Sequence, residues 1–153
     1  MQTEKLSIWW WLKLVLNTLL IGIVIYLGLS GDIEPSSFLV LMGQFLVLFG
    51  AVVNLSHYLI LKRAAGGLQR PGQLVTRGGL LPWVRHPMYF GEVFLVVGLV
   101  MISAHWIALL LAVISITSMV MLCQSEDQAM ARRFPDQHNA WKRHSRMLVP
   151  FVF

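Results

Sequence analysis

A chain of 153 residues in which 57% of side chains are hydrophobic and 12% charged, with mean hydropathy +0.69, is not a water-soluble domain; soluble domains carry about 25% charged residues. The formal net charge of +5 does not point to nucleic acid, because basic residues of membrane proteins collect in cytoplasmic loops, and these fall in loops. The lone cysteine, Cys123, excludes an internal disulfide, and without a Cys/His cluster at ligand spacing no metal site is expected.

The first apolar segment runs over 8–29. It opens on Trp9, Trp10 and Trp11, an aromatic cluster suited to the headgroup level, and Lys13 is placed to snorkel. The segment is too long for the apolar region of a signal peptide and is expected as an anchor. A short loop with Asp32, Glu34 and Pro35 follows. The second span is predicted over 38–61. Its Asn54 and His57 share a helix face, Asn54 is expected to make a hydrogen bond between helices, and Gly43 and Gly50, seven apart, offer a face for close helix approach.

Residues 62–86 form a long loop with Lys62, Arg63, Arg70, Arg77 and Arg85, no acid, and enough Gly and Pro to forbid a continuous helix. Spans three and four are predicted over 87–104 and 106–123, a tight helical hairpin turning at His105, both near the short limit for crossing. Gly91 and Gly98 repeat the seven-residue spacing. The tail, 124–153, is polar and basic, with a break at Pro135 and with Met130, Phe134 and Trp141 as inward anchors. The fold class is therefore all-α: a single membrane-embedded domain over 1–153, with about four spans, a short helical hairpin and a cytoplasmic helical tail. Lys and Arg are concentrated in the 62–86 loop and the tail, which predicts a multi-pass protein with both termini cytoplasmic.

The chemistry concentrates at Arg85-His86-Pro87-Met88-Tyr89-Phe90-Gly91. His86 precedes a proline and is driven to extended backbone, and Pro87 suits the first position of a helix. The N–H groups and dipole of that helix start favour an anion, with Arg85 and His86 beside them and the Trp83 and Tyr89 rings able to face a cation. The plain alternative is a basic surface loop before a Pro-initiated helix. Glu126 and Asp127 directly follow the fourth span. If the two short helices pair, these acids end near Pro87, and one site then serves both poles of a zwitterion. Glu92, inside the third helix, is costly there unless paired. With Arg85 and Arg143 it completes the candidate catalytic set, either arginine to orient an anionic acceptor and any one of His86, His57 and Glu92 to take a proton from an acceptor that must lose one.

Leu74-Val75-Thr76-Arg77-Gly78, the Arg85-to-Gly91 run, Glu126-Asp127 and the Arg146-to-Pro150 end together resemble the isoprenylcysteine carboxyl methyltransferase and phospholipid methyltransferase superfamily over roughly 70–151. The resemblance implies a membrane methyltransferase that uses S-adenosylmethionine on a membrane lipid or a small hydrophobic acceptor. Carried over by position, the cofactor contacts fall on Gln73, Leu74, Val75, Leu80, His86, Pro87, Met88, Tyr89 and Glu126. The sequence departs from the pattern at Leu80, Asp127, Leu122 and Trp141, which weakens the case for a prenylcysteine substrate. Membrane sterol reductases, which use a nicotinamide cofactor, resemble the same half, although this chain has few spans to house a sterol. A scaffold subunit that binds neither cofactor is the other alternative.

Overall fold

The computed structural model describes residues 8–30, 35–65 and 73–150. Among these, five helices follow in chain order: α1 (Ile8–Ser30), α2 (Ser37–Ala65), α3 (Pro87–Ser103), α4 (Trp106–Arg133) and α5 (Pro135–Lys142). α1, α2 and α4 are long and apolar enough to cross a membrane, as the hydropathy pattern predicts. The 17 residues of α3 rise only about 25 Å, short of the ~30 Å hydrocarbon thickness.

α4 does not stop at the end of its apolar run at Cys123 but continues to Arg133. Gln124 to Arg133 contains no Gly or Pro and is rich in good helix formers, so only hydropathy changes there, not the backbone preference. Pro135 ends it: Phe134 takes φ −133° and ψ 61°, outside the α region, and Pro135 opens α5. α2 similarly runs on to Ala65, where Gly66 and Gly67 follow.

The chain divides into two compact units, Met1–Leu48 with Val93–Leu122, and Phe49–Glu92 with Cys123–Phe153. In the first, α1 buries a stripe of Leu16, Leu20 and Leu27, and α4 buries Ala108, Ala112, Ser115 and Met119, the three-to-four spacing of one helix face. Ser115 donates its hydroxyl to Asn17 Oδ1, which satisfies two polar groups inside apolar surroundings. Gly43 and Gly98 face each other so closely that a Cβ on Gly98 would stand 2.6 Å from the Gly43 carbonyl oxygen. Between α3 and α4, Ala104 adopts a left-handed φ of 47°, and His105 Nδ1 caps α4 by accepting from Ile107 N–H at 3.1 Å. Leu19, Ile25, Phe45 and Leu109 are exposed on this unit, the surface that lipid would cover.

The second unit holds the polar half of the molecule. Gly91 packs on α2 where a Cβ would meet the Gly50 carbonyl at 2.8 Å, so the second half of the seven-residue pattern also marks close helix approach. Asn54 donates to Met88 O at 3.2 Å, the interhelical bond its position suggested. His57 is 3% exposed. Its Nε2 accepts from Leu80 N–H at 2.8 Å, so the proton sits on Nδ1, which donates to Val53 O at 2.7 Å. With both nitrogens engaged, His57 locks the turn that carries Gly78 (φ 107°) and Gly79 (φ 53°).

Candidate active site

Two connections place Arg85 and His86. The first is a short parallel bridge between Val84 and Arg146: Arg146 N–H donates to Trp83 O (2.8 Å), Arg85 N–H to Arg146 O (2.8 Å) and His86 N–H to Met147 O (3.1 Å). Extended backbone at His86, forced by Pro87, leaves this strand-like edge free to pair. The second is Trp141 of α5, 6% exposed, whose indole N–H donates to Leu81 O at 2.8 Å. Met147 and Leu148 are buried beside this pairing, so the apolar end of the tail packs within this unit as far as it is described; residues 151–153 lie outside the described residues.

On this base six charged or titratable side chains converge: Arg85, His86, Tyr89, Glu126, Asp127 and His138. Arg85, 7% exposed, donates from Nε to Asp127 Oδ1 (2.8 Å) and from Nη2 to Asp127 Oδ2 (3.3 Å). Its Nη1 reaches Ser145 O at 2.9 Å and Ser145 Oγ at 3.3 Å. Asp127 also takes a bond from His138 Nε2 at 3.0 Å. His86 lies between the two acids, with Nδ1 3.5 Å from Glu126 Oε2 and Nε2 3.8 Å from Asp127 Oδ1. Burial alone would lower the His86 pKa, but the carboxylates of Asp127 and then Glu126 outweigh it and raise the group above its ordinary value. Tyr89, one turn into α3, donates its hydroxyl to Glu126 Oε1 at 2.8 Å, and its ring lies 5.9 Å from that of His86. The start of α3 and the polar extension of α4 therefore meet.

The neighbouring acids differ in kind. Asp127 is bound from three sides and 13% exposed, while Glu126 is 40% exposed and presents a carboxylate to whatever enters. His86 Nε2 is buried with no hydrogen-bond partner among the described residues, the kind of unmet polar atom that a ligand satisfies. A helix start lies beside both. No group of His, Cys, Asp and Glu among the described residues has the arrangement of a metal site.

The sequence model of the phospholipid methyltransferase family matches residues 38–137, more than half of the chain. The chain belongs to that family. No curated protein and no solved structure matches it.

For a family of membrane methyltransferases the outline expected from the sequence is therefore the right one, and the geometry sorts the expected site residues into groups. His86, Pro87, Met88, Tyr89 and Glu126 gather at the start of α3. Leu80 is tied by its backbone to His57. Gln73 donates to Ala64 O at 2.9 Å, and Leu74 lines a separate cavity of about 660 Å³ with Arg77, Trp141 and His144. Val75 is half-buried in the same loop. Glu92 lies on α3, close enough to act electrostatically on the Tyr89 hydroxyl. Arg143 sits exposed at the C-terminal cap of α5. Trp83 is 51% exposed. Sequence reasoning passed over His138 and Ser145, and treated Asp127 only as the neighbour of Glu126. Their partners lie 11, 60 and 42 residues away, and only the acidic pair gave a signal.

Proposed function

We propose that this chain is an S-adenosylmethionine-dependent methyltransferase that works in the membrane, on a lipid or a small hydrophobic acceptor, with both termini on the cytoplasmic side. The observation that carries the proposal is the meeting of Tyr89, Glu126 and His86 at the first turn of α3. The donor set suits the zwitterionic cofactor. The Glu126 carboxylate offers an acceptor to an ammonium or ribose hydroxyls, while His86 and the helix start at Pro87 offer donors to a carboxylate or the adenine edge.

When bound, the cofactor supplies a methyl group activated by the adjoining sulfonium. The chain's tasks are then alignment and exclusion of water. Tyr89 holds Glu126 in one orientation through its hydroxyl. Asp127 and Arg85 fix His86 and the tail, so that His86 meets its ligand without rearrangement. With its guanidinium committed to Asp127 and Ser145, Arg85 acts in this reading as a positioning residue. A carboxylate acceptor needs no base, whereas an amine or thiol must lose its proton, for which Glu92 on α3 is a candidate beside His86 and His57. Arg143, exposed on α5, is left to meet an anionic acceptor at the surface.

The test is calorimetric binding of S-adenosylhomocysteine to the purified full chain, with transfer of labelled methyl into total membrane lipid as the second readout. Glu126→Gln should weaken binding about 10- to 100-fold, the loss of a charge-assisted contact. Unchanged affinity in Glu126→Gln removes Glu126 from the site, and binding of NADPH in place of S-adenosylhomocysteine overturns the methyltransferase reading.

A further inference from the structure

α4 presents a second polar face, turned away from Glu126. At about 100° per residue, Gln124, Asp127 and Gln128 lie within one arc, and Glu126 points roughly 150° from its centre. Gln124, Asp127 and Gln128 line a cavity of about 480 Å³, opposite Lys142 and Arg146, with Arg85 at its wall. The charges are unequal. Asp127 is the one acid in the lining, and it is consumed by Arg85 at 2.8 Å and His138 at 3.0 Å. Lys142 and Arg146 are exposed and in no ion pair among the described residues. The cavity therefore has about two uncompensated positive charges facing two carboxamides one helical turn apart, a donor-rich arrangement that fits a phosphate. Its height along the chain matters as well. Gln124 is the first residue after the apolar run of α4, which sets it at the level of lipid headgroups, and Met147 closes one edge with apolar surface.

We propose that this cavity binds a phosphate group, that of an anionic lipid headgroup, at a site separate from the Glu126 side of α4. Lys142 and Arg146 supply the charge, and Gln124 and Gln128 supply directional donors. The polybasic recognition of anionic headgroups at membrane surfaces rests on the same forces. The site does not depend on the methyl-transfer reading, because none of Gln124, Gln128, Lys142 and Arg146 belongs to the His86–Tyr89–Glu126 group.

The experiment uses the full chain in a neutral detergent and follows its melting temperature against three probes: dioctanoyl phosphatidylglycerol, dioctanoyl phosphatidylcholine and glycerol 3-phosphate. Saturable stabilisation by phosphatidylglycerol, weaker with phosphatidylcholine, is expected. The doubly substituted Lys142→Gln/Arg146→Gln protein should bind phosphatidylglycerol about tenfold or more weakly, and Gln124→Glu/Gln128→Glu should do the same by repulsion. All four positions are exposed, so the fold should survive, and a lipid-free melting temperature within about 2 °C of wild type in the same samples confirms it. Saturation by glycerol 3-phosphate, with no added gain from the acyl chains, keeps the phosphate site but assigns it to a soluble phosphate ester. Equal binding of phosphatidylglycerol by the wild-type and Lys142→Gln/Arg146→Gln proteins, or no saturable response to any probe, overturns the proposal.

Discussion

Replacing Asp127 with alanine tests the central electrostatic claim most directly. The side chain accepts from Arg85 Nε at 2.8 Å, Arg85 Nη2 at 3.3 Å and His138 Nε2 at 3.0 Å. It is 13% exposed, and Arg85 is 7% exposed. Removing one member of a buried pair strands the other charge, at a cost of about 3–5 kcal/mol. Arg85 keeps its bonds to Ser145, so the lower end, about 3 kcal/mol, is expected. In a chain of this size that lowers the melting temperature by about 6–12 °C. Thermal unfolding of the full chain in detergent, followed by tryptophan fluorescence, reads it, since Trp141 is buried in the same unit. Adding Arg85→Met should restore part of the loss, because the stranded charge is then gone. A melting temperature for Asp127→Ala within about 2 °C of wild type would mean the pair behaves like a solvated surface contact, and the account of how His86 is positioned would fail with it.

Gly91→Ala should lower stability by about 1–3 kcal/mol, since its Cβ would lie 2.8 Å from Gly50 O and 3.0 Å from Asn54 N, backbone atoms that cannot swing aside. Gly22→Ala, with nothing within 4 Å of the new Cβ, is the control and should be neutral or stabilising; equal melting shifts in the two variants would refute the close approach. Gly79→Ala forces a left-handed conformation on alanine and drives its Cβ into the His57 ring, at a cost of about 1–2 kcal/mol for the backbone and about 1 kcal/mol more for the lost Leu80–His57 bond. Hydrogen exchange at the Leu80 amide should rise, and an unchanged rate would count against the lock. The raised pKa of His86 means that the folded state holds its proton more tightly than the unfolded state. The resulting stability is fully present below about pH 6.5 and is lost as pH rises through the higher folded value. The melting temperature of wild type relative to His86→Gln should therefore fall as pH rises above about 6.5, and a flat difference contradicts the assignment.

What was legible in the sequence follows from the residues. The run Arg85 to Gly91 announced a helix beginning at Pro87 because proline sets φ and lacks the N–H that a first turn does not need. The seven-residue glycine pairs announced two close approaches, and Asn54 announced a bond across helices. The apolar span read over 106–123 is the part of α4 that suits lipid, while the helix itself runs on to Arg133, because hydropathy marks where lipid ends rather than where a helix ends. The role of Asp127 was hidden: next to Glu126 it reads as a second copy of the same group, and nothing local says that one faces a ligand while the other is consumed.

The sequence by itself determined the solvent this chain is built for, the helical elements and the family, since each depends on composition, short-range periodicity or a contiguous motif. Only the tertiary structure decided which groups share a charge, which histidine is a lock, that His86 and His138 are each left with an unmet nitrogen, and that the tail pairs edge to edge with Trp83 to His86. Among those contacts are ones between residues 23, 42 and 60 positions apart, and a hydrogen bond between two such groups is set by where the packed helices and turns carry them, which no local pattern encodes.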